Sequence, residues 1–213
     1  VPEEKIAEVE PGIVIDDLNY LIKKNNLFFT PDPSTSNRAC VGGAIGNNSC
    51  GSHSILFGKT SDHIIELNSV LSDSSQYRSS FDNSGDNENQ FSRNIEKDLR
   101  NIVKNNQSEI KKKFPKIMRR VSGYNLDLLV DKSDISLSNL LVGSEGTLAI
   151  IGSAKVNLES LPKYKGMAIL QFETVTKASD ASEFIIQEGP SAIELVDRNI
   201  LIQCKLAPGY RNR

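Results

Sequence analysis

The pattern of hydrophobic residues in the first third of the chain predicts two strands and a helix between them. Residues 5–10, which are followed by Pro11-Gly12, predict a short strand. Apolar residues then recur at the spacing of one helix face, with acidic residues in the first turn, and predict a helix at 15–25. Residues 64–71 are rich in β-branched and aliphatic side chains and predict a core strand.

The middle of the chain begins with a polar segment that interrupts this pattern. Residues 72–94 carry few large apolar side chains among Ser, Asn, Asp and Gln, so a mobile surface insertion is expected there. Helical spacing returns at 95–103 and again at 110–114. A further short helix is predicted at 135–141 and a strand at 147–158.

The hydrophobic pattern starts again near residue 166. It predicts a strand at 167–173, a helix at 178–188, a strand at 191–196 and a helix at 197–205. Alternating strands and helices over so short a distance are typical of the opening of a separate α+β unit. Such a piece has little core of its own, so we expect the chain to be part of a longer protein.

Composition and cysteine usage narrow the function classes. The formal net charge is −2, which argues against nucleic acid as the main partner. No apolar stretch approaches the roughly 20 residues of a membrane-spanning helix. Cys40, Cys50 and Cys204 are odd in number and form no CxxC pair, so neither a disulfide framework nor a zinc site is predicted, and a cytoplasmic location is expected.

Glycine is concentrated at 42–58, which holds five of the fourteen glycines in the chain. Glycine permits positive φ and close approach of the backbone to another group. Successive free N–H groups without side chains form a concave anion site, which is the usual means of holding a phosphate or a pyrophosphate. This run is therefore the first candidate for a binding site.

Two common nucleotide-binding motifs do not fit the run. The Walker pattern ending at Gly58-Lys59-Thr60 would need glycine where His53 stands. The dinucleotide fingerprint of Rossmann folds also fails, because the glycines lack its spacing and follow a proline-rich segment. A glycine-rich turn with a purely structural role stays open.

A second glycine-containing run, Gly143-Ser144-Glu145-Gly146-Thr147-Leu148, lies about 90 residues later between a short predicted helix and a strand. Each run adjoins a predicted strand. Two such runs favour a long ligand that is held at both ends.

Four separated motifs carry a resemblance to a known family. They are Pro31-Asp32-Pro33-Ser34-Thr35, then Gly42 to Ser52 with Gly58-Lys59-Thr60-Ser61-Asp62-His63, then Gly123-Tyr124-Asn125-Leu126, and last the run Gly143 to Leu148. In order and spacing they resemble FAD-linked oxidases of the vanillyl-alcohol oxidase type. The most similar branch is that of the D-2-hydroxyacid dehydrogenases, and the resemblance covers about residues 5–200.

The resemblance implies an α+β fold, in which the second subdomain of a PCMH-type FAD-binding domain is followed by the start of a ferredoxin-like cap. The expected boundaries are 1–160 and 161–213. It also implies FAD as cofactor and oxidation of a D-2-hydroxy acid of the lactate, 2-hydroxyglutarate or glycolate class by hydride transfer to flavin N5. Partners would be that small substrate and an unidentified electron acceptor. The alternatives are an alcohol or sugar oxidase of the same fold, or a nucleotide-binding module without catalysis.

The family pattern also implies cofactor contacts at particular residues. Pro33, Ser34 and Thr35 would lie along the FAD diphosphate, and Gly42, Gly43 and Asn48 would lie at the diphosphate and ribityl chain. Gly51, Ser52 and Thr60 would lie near the ribityl chain and isoalloxazine, and Gly146 and Ile150 towards the adenosine end. Gly46 is a further expected cofactor contact. The family's first subdomain and its metal-binding and proton-abstracting histidines would lie outside these residues. Phe57 stands where many relatives have tyrosine.

No residue of the chain is a secure catalytic acid or base. His53 and His63 fit positions in loops or at the cofactor rim better than catalysis. Cys50 with His53 makes at most half of a metal site, so no metal is predicted. Arg119 and Arg120 would suit a carboxylate, but structural roles fit them at least as well.

Overall fold

The computed structural model describes residues 1–80, 89–132, 136–207 and 209. Within these ranges the strands are β1 Ile6–Val9, β2 Leu27–Phe28, β3 Ile64–Val70, β4 Gln76–Ser80, β5 Ile150–Asn157 and β6 Glu159–Ser160. The α-helices are α1 Ile15–Ile22, α2 Val41–Asn47, α3 Ser54–Phe57, α4 Gln90–Asn105, α5 Gln107–Lys113, α6 Ser138–Leu141, α7 Val175–Gln187 and α8 Arg198–Leu206. Short 3-10 helices occupy Pro2–Glu4, Lys23–Asn25, Thr60–His63 and Leu126–Leu129.

Four strands form an antiparallel sheet in the order β1-β5-β3-β4, and β2 pairs with β6 in a separate ribbon. In β3 the buried residues Ile64 and Leu67 are three positions apart, although a regular strand alternates every two. The register shifts between Ile64 and Glu66, so this β-bulge absorbs the extra residue. Both buried side chains therefore face the same core, opposite Val156 and Ala154.

The core lies where helices pack on this sheet. Leu99 and Val103 stand four apart in α4, so they share one helix face, and both are buried. Ile15 and Leu18 do the same for α1, and α2 contributes Ile45, which is fully buried. These side chains belong to one continuous apolar cluster that also contains the buried residues of β3 and β5.

The prediction of a mobile polar insertion at 72–94 is wrong for much of its length. Residues 76–80 form β4, which pairs with β3, and α4 already begins at Gln90. Tyr77 is fully buried, and its hydroxyl donates to Glu96 at 2.7 Å. The buried ring, with its hydroxyl satisfied, and the pairing with β3 together hold this polar segment in a strand. Residues 81–88 lie outside the described residues.

Most other sequence predictions in the first 160 residues are confirmed. The strands at β1, β3 and β5 and the helices α1, α4 and α5 overlap their predicted ranges. The predicted helix at 135–141 is α6 over its second half, and its first residue lies outside the described residues. The first part of the glycine-rich run is a helix at residues 41–47, whereas the sequence predicted an anion-binding loop and left a structural turn open as the alternative.

Beyond Ser160, the two predicted helices are confirmed as α7 and α8, but the strands predicted at 167–173 and 191–196 are wrong: the described residues there contain no strand. Met167 and Ile169 are 86% and 76% exposed. A sequence with β propensity forms a ladder only when another strand supplies hydrogen bonds and a packed face. Neither is present around these residues in the part of the chain described.

Candidate functional site

The first glycine run begins as helix α2, which packs closely on the turn after β1. A Cβ atom on Gly42 would lie 2.5 Å from Pro11 Cβ, so no larger residue fits without movement. The backbone amides of Val41 and Gly42 donate to the carbonyls of Ile13 and Pro11 at 2.9 and 2.8 Å. The prediction that the run supplies a series of free N–H groups is therefore wrong at its start, because other segments already use them.

Helix α2 ends at Asn48, which has φ 48° and is completely buried. Asparagine tolerates this left-handed conformation better than most residues. Its Oδ1 accepts a hydrogen bond from Ser61 N at 2.9 Å, which ties the helix end to the 3-10 helix Thr60–His63. Its Nδ2 has no hydrogen-bond partner among the described residues. Because such an orphan donor is costly to bury, it marks a position that a ligand oxygen would complete.

The second glycine run, which we call the second bend (residues 143–146), docks directly on this helix end. Gly143 N donates to Ile45 O at 2.9 Å and Glu145 N donates to Gly46 O at 2.8 Å. A Cβ on Gly46 would meet Glu145 Cα at 3.7 Å, an ordinary van der Waals distance, so the two segments are in contact here without requiring glycine. Gly143, Glu145 and Gly146 all have positive φ, at 88°, 53° and 72°. The structure therefore brings together two runs that are about 90 residues apart in sequence.

A buried polar group supports the second bend from behind. Asn125 is 1% exposed, and its Nδ2 donates to Val142 O at 2.7 Å. Its Oδ1 accepts from Arg120 Nη2 at 3.1 Å, and the same guanidinium pairs with Asp127. Phe114 covers the guanidinium, with Cζ 5.0 Å from the ring centroid. The motif around Gly123 carried the resemblance, but sequence reasoning assigned no part to Asn125 or Asp127.

The segment predicted to follow the diphosphate turns sharply beside the first run. Ser36 N donates to Pro33 O at 2.9 Å, while Ser34 and Thr35 are exposed. A Cβ on Gly51 would lie 2.0 Å from Asp32 O, so the loop after α2 touches this segment at its backbone. Among the described residues, no hydrogen bond joins residues 33–35 to the second bend.

The two histidines have different surroundings. His53 Nδ1 lies 2.5 Å from Asp32 Oδ2, and its side chain is 46% exposed. His63 is 5% exposed, and its Nε2 contacts Phe57 O at 2.6 Å and Thr30 Oγ1 at 2.7 Å. A carbonyl only accepts, so Nε2 carries the proton. His63 therefore joins two loops inside the fold.

The remaining predicted site residues lie on either side of the docked runs. Thr60 is buried, and both its N and its Oγ1 donate to Ser49 O, at 2.9 and 2.7 Å. Ser52 Oγ lies 3.5 Å from Asp32 Oδ2. Ile150 opens β5 opposite Val70 and is 72% exposed. Gly43 is exposed at the start of α2.

Neither a metal site nor a membrane-spanning helix is found among the described residues. There, no three His, Cys, Asp or Glu side chains are grouped so that they could hold a metal ion. Within the same ranges, none of the helices has both the length and the apolar character needed to cross a bilayer. The three cysteines are free.

Comparisons with known proteins show which sequences this chain resembles. Residues 1–80 match the model of an FAD binding domain family. The chain is 32% identical to D-2-hydroxyglutarate dehydrogenase from Haemophilus influenzae and 33% identical to that from Pseudomonas putida, over 93% and 94% of its length. It is 26% identical to glycolate oxidase subunit GlcD from Bacillus subtilis over 95% of its length. The chain spans only 20% of the two dehydrogenases and 34% of the GlcD subunit.

Solved structures give the fold. An alkyldihydroxyacetonephosphate synthase superposes with a TM-score of 0.55 at 16% identity, over 89% of this chain and 26% of that one. At this identity the likeness supports the α+β architecture of an FAD-binding domain and no more. The sequence matches and the motifs agree: the chain belongs to the family of FAD-linked oxidases that includes the D-2-hydroxyacid dehydrogenases.

Proposed function

We propose that the chain holds part of an FAD molecule at the junction of α2 and the second bend. The observation that carries this proposal is the buried Nδ2 of Asn48, a donor without an acceptor where two glycine-containing segments meet. The family binds FAD. A flavin dinucleotide offers diphosphate and hydroxyl oxygens that such a donor would satisfy.

The contacts implied by the family pattern stay part of this proposal. We assign Pro33, Ser34, Thr35, Gly42, Gly43, Gly46 and Asn48 to the diphosphate side, Gly51, Ser52 and Thr60 to the ribityl and isoalloxazine side, and Gly146 and Ile150 to the adenosine end. Two structural observations support the group. The second bend touches Gly46 through its backbone, and Asp32 contacts Gly51.

We propose the domain division 1–160 and 161–213. All the strands that the structure describes fall in the first part, and so does the apolar cluster. The described residues after 160 are largely exposed. The second part would begin a cap over the substrate.

For the whole protein we propose oxidation of a D-2-hydroxy acid to the 2-oxo acid, with D-2-hydroxyglutarate as the first substrate to test. The support is that two relatives at 32% and 33% identity carry that name, against 26% for the glycolate oxidase subunit. Bound FAD supplies the hydride-accepting chemistry. The described residues would bind and orient the cofactor and exclude water around its diphosphate. The electron acceptor is unidentified, and a cytoplasmic location and the absence of a nucleic-acid partner stay predictions.

The cofactor proposal is tested by titrating the chain into FAD and, separately, into riboflavin, while flavin fluorescence polarisation is followed. Riboflavin lacks the diphosphate and is the matched control. We expect saturable binding of FAD and at least tenfold weaker binding of riboflavin, the factor that corresponds to about 1.4 kcal/mol. Equal affinity for both ligands, or no saturable binding of FAD, would contradict the assignment.

The substrate proposal needs the whole protein purified with its flavin, and a dye that accepts electrons from it. We expect dye reduction with D-2-hydroxyglutarate and none with the L enantiomer. Faster reduction with D-lactate or glycolate would keep the reaction and change the substrate. Reduction by a simple alcohol or a sugar, and by none of the hydroxy acids, would favour the alcohol or sugar oxidase instead.

A further inference from the structure

A cavity lined in part by Arg120 lies beside α5. It has a volume of about 470 Å³, within the range of about 300–1,000 Å³ that small-molecule sites occupy. Its wall is formed by the end of α5, the segment that follows it, and the residues after the 3-10 helix Leu126–Leu129.

The charges around this cavity do not balance. Lys59, Lys111, Lys116 and Arg120 line it, against Asp127 and Asp131. Both carboxylates are already engaged: Asp127 pairs with Arg120, and Asp131 lies 2.6 Å from Lys111 Nζ. Two ammonium groups are therefore left over. Lys116 has no ion pair among the described residues, and Lys59 Nζ makes only a 3.5 Å contact with Arg120 O.

Arg120 adds a donor that lacks an acceptor. The residue is 8% exposed, and its Nη2 donates hydrogen bonds to Asn125 and Asp127. Its Nη1 is buried and has no hydrogen-bond partner among the described residues. A guanidinium N–H without an acceptor is costly, and an anionic oxygen is the partner that satisfies it best.

The rest of the lining is apolar. Ile110 is 4% exposed, and Phe114 and Val130 are half-buried beside it. Inorganic anions gain nothing from such a wall, whereas an aliphatic chain buries surface against it. We infer that this cavity is a binding site for a short-chain aliphatic carboxylate, with its carboxylate towards Lys59, Lys116 and Arg120 and its chain against Ile110 and Phe114. The site is separate from the proposed FAD contacts and does not depend on them.

The inference is tested by titrating the chain with butanoate, followed by NMR and calorimetry, and with butanamide as the neutral molecule of the same shape. We expect saturable binding of butanoate, with the largest shift changes at the Phe114 ring and the Arg120 guanidinium, and at least about fivefold weaker binding of butanamide. Inorganic phosphate is titrated in parallel. Phosphate that binds as tightly as butanoate would overturn the assignment of an aliphatic ligand.

Lys116→Gln removes one exposed ammonium of the cavity without touching the core. It should weaken butanoate binding about fivefold, as expected for loss of one close charge at the protein surface. Lys112→Gln removes an exposed charge from α5 outside the cavity lining and should change the affinity less than twofold. Equal losses in the two variants, or shift changes that spare Phe114, would overturn the inference. Both variants keep Arg120, and their thermal midpoints confirm that they fold.

Discussion

Asn48→Asp would replace one buried donor by an acceptor and leave the shape of the side chain unchanged. Aspartate tolerates positive φ as asparagine does, so the backbone at φ 48° is kept. Its carboxylate still accepts from Ser61 N, which the amide oxygen does now at 2.9 Å. What disappears is the Nδ2 donor, which has no partner among the described residues. The substitution therefore removes the atom on which the cofactor proposal rests, but it also adds a buried negative charge, which Asn48→Gly does not add.

The expected loss follows from the kind of hydrogen bond that Nδ2 would make. A hydrogen bond to a charged group is worth about 1.5–3 kcal/mol, and each 1.4 kcal/mol changes a dissociation constant tenfold. The FAD dissociation constant should therefore rise about 10- to 150-fold in Asn48→Asp, measured by fluorescence polarisation. Asn47→Asp is the matched control, because Asn47 is exposed and the substitution adds the same charge one residue away. It should weaken FAD binding less than about threefold, since charges in water are screened.

Two outcomes would refute this reasoning: an affinity within about twofold of wild type in Asn48→Asp, or equal losses in the two variants. Because a buried carboxylate also destabilises the fold, the urea midpoint of the unliganded protein is measured alongside. Asn48→Gly gives a second test, since glycine adopts this φ freely and lacks the amide. It should weaken FAD binding to a similar degree.

Three further predictions, two of them with a matched control substitution, test the fold. Gly143→Ala should lower the unfolding free energy by about 1–2 kcal/mol because of the positive φ, and by more because the new Cβ would lie 3.2 Å from Asn125 Nδ2. Gly123→Ala, with φ 74° and no neighbour within 4 Å, should show the backbone cost alone. Both are measured by urea denaturation. Equal costs would show that the second bend is not packed against Asn125. Arg120→Met should lose about 3 kcal/mol in the same assay by stranding Asp127 and Asn125, and Arg119→Met, at an exposed neighbour, should lose less than about 1 kcal/mol. Burial raises the pKa of Tyr77 above its ordinary value of 10.0, so the phenol ionises in the unfolded chain first and its contribution to stability is lost as pH rises above 10. Above pH 10 the unfolding free energy of wild type should fall by up to about 1.4 kcal/mol per pH unit more than that of Tyr77→Phe. Identical pH profiles of the two proteins would contradict the burial of this hydroxyl.

The sequence predicted the elements whose signals are local. Residues at helical spacing placed α1, α4 and α5, and β-branched runs placed β3 and β5. Prediction from the sequence failed where an element depends on residues that are distant in the chain. Residues 76–80 are polar in isolation, and they pair because β3 lies beside them and Tyr77 finds a cavity and Glu96. Residues 167–173 show the opposite case: their side chains favour a strand, but the described residues provide no neighbouring strand with which they could pair.

The site was only partly predictable for the same reason. Glycine marks where something comes close, but the sequence does not say whether that is a ligand or another part of the chain. At Gly42 and Gly51 the close neighbours are Pro11 and Asp32, so packing already requires glycine at both positions, independently of the cofactor contacts proposed for them. The run therefore mixes structural glycines with those available to a cofactor. Asn125 gave no sequence signal, because its role depends on Arg120 and Val142 meeting it in space.

Gly43 is the position where a structural role for glycine and a cofactor-binding role can best be distinguished. Its φ is not positive, and no described heavy atom lies within 4 Å of the place its Cβ would take, so neither conformation nor packing requires glycine in this helix. Gly43→Ala should therefore raise the unfolding free energy by about 0.5–1 kcal/mol in urea denaturation, because alanine is the better helix former. If FAD approaches the backbone here, the same substitution should weaken FAD binding at least about tenfold by polarisation. Opposite signs for stability and affinity would identify a glycine kept for a ligand, whereas a stabilised variant with unchanged FAD affinity would remove Gly43 from the cofactor site.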